Sequence, residues 1–245
     1  FKLMKDVAAP NWHEERPMVE SLPILVLFAG WSSLFSERVS TWRSGTADKL
    51  RTKFERELLP AFLSKQRWYA PKADAIDRVT VAEHALLDEA GHSWLLALAD
   101  VSAATGTNRY FLPLALGWEE TEEERVKQIA GGAFARIRQQ AEVGLIGDAV
   151  YDEAYYRAVI RAIGAQRELQ AGDGQIRFVP GADFAELTAQ LPEDLTLVRL
   201  PGLGTNSATV LGDTLFLKTF RRLREGLNPE LEVGRFLTDV ARFEH

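Results

Sequence analysis

Apolar positions along the chain follow two rhythms, one of three to four residues and one of two. Leu50, Phe54, Leu58, Ala61 and Phe62 recur at helical steps and predict an amphipathic helix over 46–63, with Lys49, Arg51, Lys53, Glu55 and Arg56 on its wet side. Ahead of it, Pro23 to Phe28 reads as a short strand, and Gly30-Trp31-Ser32 breaks it and offers a serine to cap a helix near Ser33. Residues 1–20 show no sustained period and read as a linker. Beyond the helix, Asp77–Leu87, Trp94–Val101 and Arg109–Leu116 are short apolar or alternating runs. They are divided by Asp88-Glu89-Ala90-Gly91 and by Ala104-Thr105-Gly106-Thr107, the pattern of an antiparallel meander. From Phe134 to Leu145, Ala135, Ile137, Ala141, Val143 and Leu145 alternate with Arg136, Arg138, Gln140 and Glu142, which predicts one strand despite helical propensity. Tyr155, Tyr156, Val159, Ile160 and Ile163 then define a helix that ends near Gly164.

Between the first long helix and the meander stands Gln66-Arg67-Trp68-Tyr69-Ala70-Pro71-Lys72. The plain expectation is that Trp68 and Tyr69 anchor the helix to a sheet while the cations snorkel or stack. No internal repeat is visible, and the break at Ala171-Gly172-Asp173-Gly174 marks a domain boundary near 164–174. Strands mixed with flanking helices, without regular alternation, argue for an α+β fold.

Composition narrows the function classes. The chain has 245 residues, 46% of them hydrophobic and 26% charged, enough for a sizeable core without metal or disulfide. A net charge of -6 opposes nucleic acid and anionic membranes. Cysteine is absent, which excludes thiolate chemistry and suits a reducing cytoplasm. The apolar run Leu22–Phe28 is far shorter than the roughly 20 residues that cross a bilayer, and no signal-peptide frame surrounds it. The first residue is Phe1, and 240–245 reads as an uncapped helix, so both ends are expected to be cuts in a longer polypeptide. His13, His84, His92 and His245 are isolated, show no metal spacing and read as surface or core residues.

Chemistry concentrates in 195–243. A strand ending at Arg199 enters Leu200-Pro201-Gly202-Leu203-Gly204-Thr205-Asn206-Ser207, where small residues let backbone N–H groups turn toward an anion. Ala208–Leu211 and Thr214–Lys218 read as a hairpin around a two-residue Gly212-Asp213 turn. By alternation, Lys218 shares a face with Phe216, opposite Leu215 and Leu217. Asn228 caps a helix begun by Pro229, with Val233, Phe236, Leu237 and Val240 as its core stripe and Glu232 at the margin, where it could reach Lys218. A strand lysine paired with a helix glutamate holds nucleotide phosphates in protein-kinase N-lobes. Gly202-x-Gly204 lacks the third glycine of the kinase loop, however, with Ser207 in its place. An edge-strand lysine and a first-turn glutamate also have a plain explanation in aggregation control and the helix dipole.

Several of these motifs together resemble bacterial maltokinase. They are Asn206-Ser207 before a hairpin, Leu217-Lys218-Thr219-Phe220-Arg221-Arg222-Leu223, and the stretch Asn228-Pro229-Glu230-Leu231-Glu232-Val233-Gly234-Arg235-Phe236-Leu237. Leu58-Leu59-Pro60-Ala61-Phe62-Leu63 and Gln66-Arg67-Trp68-Tyr69 are similar to that family's N-terminal cap. The resemblance implies an antiparallel-sheet cap with flanking helices at 22–165 and an incomplete protein-kinase-like N-lobe at 166–245. Residues 1–21 would be a linker or the tail of a fused trehalose synthase. It further implies ATP and Mg²⁺ as cofactors and maltose as acceptor, with maltose 1-phosphate as product. Lys218 would contact phosphates, Glu232 would hold Lys218, and Gly204, Thr205, Asn206 and Ser207 would cover the phosphates. The catalytic base and metal carboxylates would lie in a further lobe, so this chain alone is expected to lack turnover. Two other readings stand beside this one. In the first, 22–165 is a docking module that tethers kinase to synthase through exposed Arg67, Trp68 and Tyr69. In the second, the chain belongs to another small-molecule phosphotransferase of the same fold, such as one acting on aminoglycosides or choline.

Overall fold

A computed structural model describes residues 19–35, 41–69, 75–189, 191, 197–200, 204–212, 215–237 and 241. Its centre is the expected meander: β2 (Ile76–Glu89), β3 (His92–Ala103) and β4 (Gly106–Trp118) pair antiparallel. Both hairpin turns use left-handed backbone, at Ala90 and Gly91 in the first and at Gly106 in the second. Two more strands, β5 (Ala133–Gln139) and β6 (Glu142–Asp148), extend the sheet on the β4 side, and β1 (Ile24–Leu27) lies parallel to β5. The order is β1-β5-β6-β4-β3-β2.

The single strand expected over 134–145 is therefore a hairpin. Gln139 pairs with Glu142, and Gln140 takes φ +54° in the turn. The two-residue turn shifts the alternation by one, so Ile137 and Ile146 face the first core and Leu145 the second. Because both faces of the sheet are covered, apolar residues continue at odd positions through the bend, and no Gly, Asn or Asp marks it.

Successive residues of β3 point into two different cores. Leu95, Ala97, Ala99 and Val101 face one side, while Trp94 and Leu96 face the other. The first face is covered by one long helical run: α2 (Thr41–Lys53), a π-helical turn (Phe54–Leu58) and α3 (Leu59–Lys65), with Phe54, Leu58, Leu59, Phe62 and Leu63 buried. In the π turn the Leu59 N–H donates to the carbonyl five residues back, at Phe54. The widened turn admits Pro60, which has no N–H to give and whose ring crowds a regular helix. The helix is longer than expected at both ends. Before it, α1 (Ser32–Phe35) is anchored by Ser33, whose Oγ accepts from the N–H groups of Phe28 and Ala29.

The second face is covered by α4 (Glu123–Ala130) and α5 (Glu153–Gly164). The sequence announced no element at α4; it sits close because β4 and β6 present glycines beneath it. A Cβ on Gly147 would lie 2.6 Å from Ile129 Cγ2. Helix α5 is capped by Asp152, whose Oδ1 accepts from the Ala154 N–H. Its most buried residues are Tyr155, Tyr156, Ala158 and Ala162, so the buried stripe uses small residues where Val159, Ile160 and Ile163 were expected. The predicted break at 171–174 is the turn of a small hairpin, β7 (Glu168–Ala171) with β8 (Gly174–Arg177).

Further along, α6 (Phe184–Ala189) precedes a three-stranded antiparallel sheet of β9 (Leu197–Leu200), β10 (Asn206–Leu211) and β11 (Leu215–Phe220), in the order β11-β10-β9. Leu211 pairs with Leu215, and Asp213, the second residue of the expected two-residue turn, lies with Thr214 outside the described residues. Leu197, Leu211, Leu215 and Leu217 join Trp94, Tyr155 and Tyr156 in the second core. The two-residue strand β12 (Arg222–Leu223) then pairs with Arg109 and Tyr110 of β4, along the edge that β6 leaves open before Leu114. Helix α7 (Pro229–Arg235) closes the described chain.

Candidate functional site

The β10–β11 hairpin and α7 bring together most of the residues singled out by sequence. Lys218 stands on β11 directly opposite Ala208 of β10, two residues inward from Asn206. Alternation places it as expected: Leu215 and Leu217 pack on the core, Phe216 is exposed, and the Lys218 ammonium lies 5.1 Å from the Phe220 ring centroid. Gly204 takes φ +67° at the entrance to β10, and Thr205 and Asn206 follow it. Gly202 lies outside the described residues.

The partner of Lys218 is Glu230, not Glu232. Lys218 Nζ donates to both Glu230 oxygens, at 2.5 and 2.7 Å. Asn228 caps α7 by accepting from the Glu230 N–H, which puts Glu230 in the first turn beside the lysine. Two residues later the helix has rotated by about 200°, and Glu232 is carried to the exposed far side. The stripe expected to bury α7 is also corrected. Val233, Phe236 and Leu237 are all exposed, and Val240 lies outside the described residues. No described element covers that face.

Ser207 has a structural partner. Its Oγ accepts from Arg221 Nε at 2.9 Å. Arg221, with no exposed surface, also donates from Nη2 to Asp148 Oδ2 at 2.6 Å, and its guanidinium lies 4.6 Å from the Trp68 ring centroid. The Arg221 carbonyl accepts from the Phe111 N–H at 2.7 Å. One arginine thus ties the end of β11 to β6, to β4 and to the end of the long helical run. Its Nη1 has no hydrogen-bond partner among the described residues. The sequence reading named Arg221 only within the motif Leu217–Leu223 and gave it no role, yet period two from Leu215, Leu217 and Thr219 puts Arg221 on the core side.

A second polar bridge lies nearby. Tyr156 Oη donates to the Val150 carbonyl at 3.1 Å and lies 2.6 Å from Thr209 Oγ1 of β10, both side chains being buried. Burial pushes the Tyr156 hydroxyl up to about 12, although the Thr209 hydrogen bond pulls the other way. Burial raises Tyr155 further, with Tyr156 adding to the effect.

Trp68 and Tyr69 belong to the first core, packed against Tyr110 at ring-centroid distances of 6.1 and 5.5 Å. They anchor the helix to the sheet, and only Arg67 of that trio is exposed. This removes the exposed aromatic surface on which the docking reading was built. Among the described residues, no helix is long and apolar enough to cross a membrane. Residues 62–152, from the end of α3 through the whole meander and the β5–β6 hairpin to the cap of α5, match the family model of the maltokinase N-terminal cap domain, and the chain carries a maltokinase-related domain.

Proposed function

We propose that this chain is part of an ATP-dependent maltose 1-kinase, with the cap at 22–165 and the start of a kinase N-lobe at 166–245. The observation that carries the reading is the Lys218–Glu230 pair. It is a strand lysine held by a first-turn helix carboxylate beside a glycine-bearing loop, in the same molecule as the maltokinase-related cap. The residues present suit the phosphates of ATP: Lys218 supplies a fixed cation, and Gly204, Thr205 and Asn206 supply backbone N–H groups at a strand entrance. When bound, ATP would supply the γ-phosphoryl group for an acceptor hydroxyl. Lys218 would neutralise phosphate charge and Glu230 would hold the ammonium in place, the role the sequence reading gave to Glu232. Ser207 would shape the loop through Arg221 rather than touch the ligand. The carboxylates for Mg²⁺ and the catalytic base are assigned to a further lobe, and trehalose synthase and a place in α-glucan metabolism follow from the family resemblance.

The test uses the full-length protein that carries this chain. With Mg·ATP and maltose it is expected to release ADP and maltose 1-phosphate, and Lys218→Met should lower kcat/KM on the order of 10²-fold. Undiminished turnover in the variant would reject the lysine assignment. Phosphorylation of an aminoglycoside or choline in place of maltose would reject the acceptor.

A further inference from the structure

Within the cap, the loop after β1, the β2–β3 turn and the start of α4 line a cleft of about 590 Å³ that includes no residue of the β10–β11 hairpin or α7. Its walls include Trp31, Trp118, His92, Glu122, Arg125 and Gln139. That volume is within the range of small-molecule sites, which combine apolar walls with a few convergent polar groups.

The polar groups are held by a network built on Glu122 and Asp152. Glu122 Oε1 accepts from His92 Nδ1 at 2.7 Å and from Arg125 Nη1 at 2.5 Å, and Oε2 accepts from the Trp118 N–H at 2.9 Å. Arg125 Nε donates to Asp152 Oδ2 at 2.9 Å, and the same oxygen accepts from Trp94 Nε1 at 2.7 Å. Asp152 is fully buried and the Arg125 side chain nearly so. His92 Nδ1 also lies 3.2 Å from Arg125 Nη1, so this nitrogen is taken up by the network and Nε2 is the ring nitrogen left for a ligand. Across the cleft, Gln139 Oε1 accepts from the Gly30 N–H at 2.7 Å, so the Gln139 amide nitrogen keeps its two donors. Among the described residues, neither His92 Nε2 nor Gln139 Nε2 has a hydrogen-bond partner.

This chemistry selects a ligand class. Arg125 pairs with two carboxylates, and its Nη2, which makes no hydrogen bond among the described residues, is buried, so it presents no open charge to phosphate or another anion. Glu122 already accepts three hydrogen bonds, so it offers little to an ammonium. Among the described residues no three His, Asp or Glu side chains converge as metal ligands. What remains is the half-buried indole of Trp118, in one wall with His92 Nε2 and the Gln139 amide nitrogen. An indole beside an imidazole nitrogen and an amide donor fits a sugar, whose C–H face stacks on an aromatic ring while its hydroxyls both give and take hydrogen bonds.

We propose that this cleft is a binding site for a neutral saccharide, lined by other residues than the Lys218–Glu230 pair and independent of whether that pair holds nucleotide. Titration of the chain with glucose, maltotriose and cellotriose, followed by calorimetry and by indole fluorescence, tests it. At least one of the three is expected to bind at millimolar concentration and to perturb the fluorescence. Trp118→Leu and, separately, Gln139→Leu are each expected to weaken binding by about tenfold, or about 1.4 kcal/mol, with circular dichroism unchanged. Gln139→Leu keeps the proposal testable if the indole variant fails to fold. No binding by any of the three sugars overturns it, as does binding that neither substitution alters. Because Lys218→Met leaves this cleft untouched, unchanged sugar binding in that variant separates a failure of the kinase reading from a failure of this one.

Discussion

Helices α5 and α7 begin alike and end differently. Each has a side-chain cap, Asp152 for α5 and Asn228 for α7, and each carries apolar residues at helical spacing. In α5 that spacing buries Tyr155, Tyr156, Ala158 and Ala162 under the sheet, whereas α7 buries none of its residues. The ion pairs of the two neighbourhoods differ in the same way. Arg221–Asp148 is sealed against Trp68, while Lys218–Glu230 lies at the surface with Glu230 more than half exposed. Capping and periodicity are local properties of sequence, but burial needs a partner surface, and only the cap provides one within the described chain. The buried pair is therefore expected to govern stability, and the exposed pair to be free to serve a ligand.

The largest effect should come from breaking the buried pair. Arg221→Met leaves Asp148 buried and uncompensated and is expected to cost about 3–5 kcal/mol in urea unfolding. A loss below about 1 kcal/mol would mean that this arginine does not bind the β9–β11 sheet to the cap. Alkaline pH probes the same seam through Tyr155 and Tyr156. Their hydroxyls are raised in the folded state above the ordinary value of about 10. The unfolded chain therefore gives up these protons first. The stabilisation is complete below pH 10 and falls as pH rises from there toward about 12 for Tyr156. The fall should approach about 1.4 kcal/mol per pH unit for each tyrosine, and urea midpoints in a Tyr155→Phe, Tyr156→Phe double variant should lose that extra decline. At neutral pH, Tyr156→Phe alone removes the bridge to Thr209 and is expected to cost about 1–2 kcal/mol.

The exposed pair should behave in the opposite way. Glu230→Gln is expected to shift stability by no more than about 0.5 kcal/mol while weakening ATP binding measured by calorimetry, and Glu232→Gln should leave that binding intact. The reverse ranking would restore Glu232 as the partner of Lys218. Smallest of all, Phe236→Ser on the open face of α7 should change the unfolding free energy by about 0.5 kcal/mol or less. A loss of 2 kcal/mol or more, on the order of a buried aromatic, would show that the face is covered in solution.

Much of the fold was legible because its signals are local. The three meander strands, the long amphipathic helix, the presence of α5 and the capped start of α7 follow from period, turn chemistry and a capping residue. The misses share one cause, since in each of them a neighbour, not the local pattern, decides the outcome. Alternation continued through the Gln140 turn, so one strand was expected in place of a hairpin. Helix α4 is weakly marked in sequence and is held in place by glycines on the strands below it. Of the candidate site, Lys218 and its face were readable from period two. Its partner was not, because Glu230 and Glu232 are equally plausible in sequence and only the direction in which α7 leaves β12 selects between them.

By itself the sequence determined the α+β class, the antiparallel meander, the face on which Lys218 stands and the capped start of α7, because each depends on residues within a few positions of one another. Tertiary structure alone decided that Arg221 and Asp148, 73 residues apart, share one buried site. It also decided that Ser207 serves that site, that β12 completes the edge of β4, and that Glu122 and His92 meet at the mouth of a cleft. Long-range pairs like these leave no periodic trace in the chain. They exist because a desolvated charge or an open strand edge must find its partner wherever the packed fold supplies one.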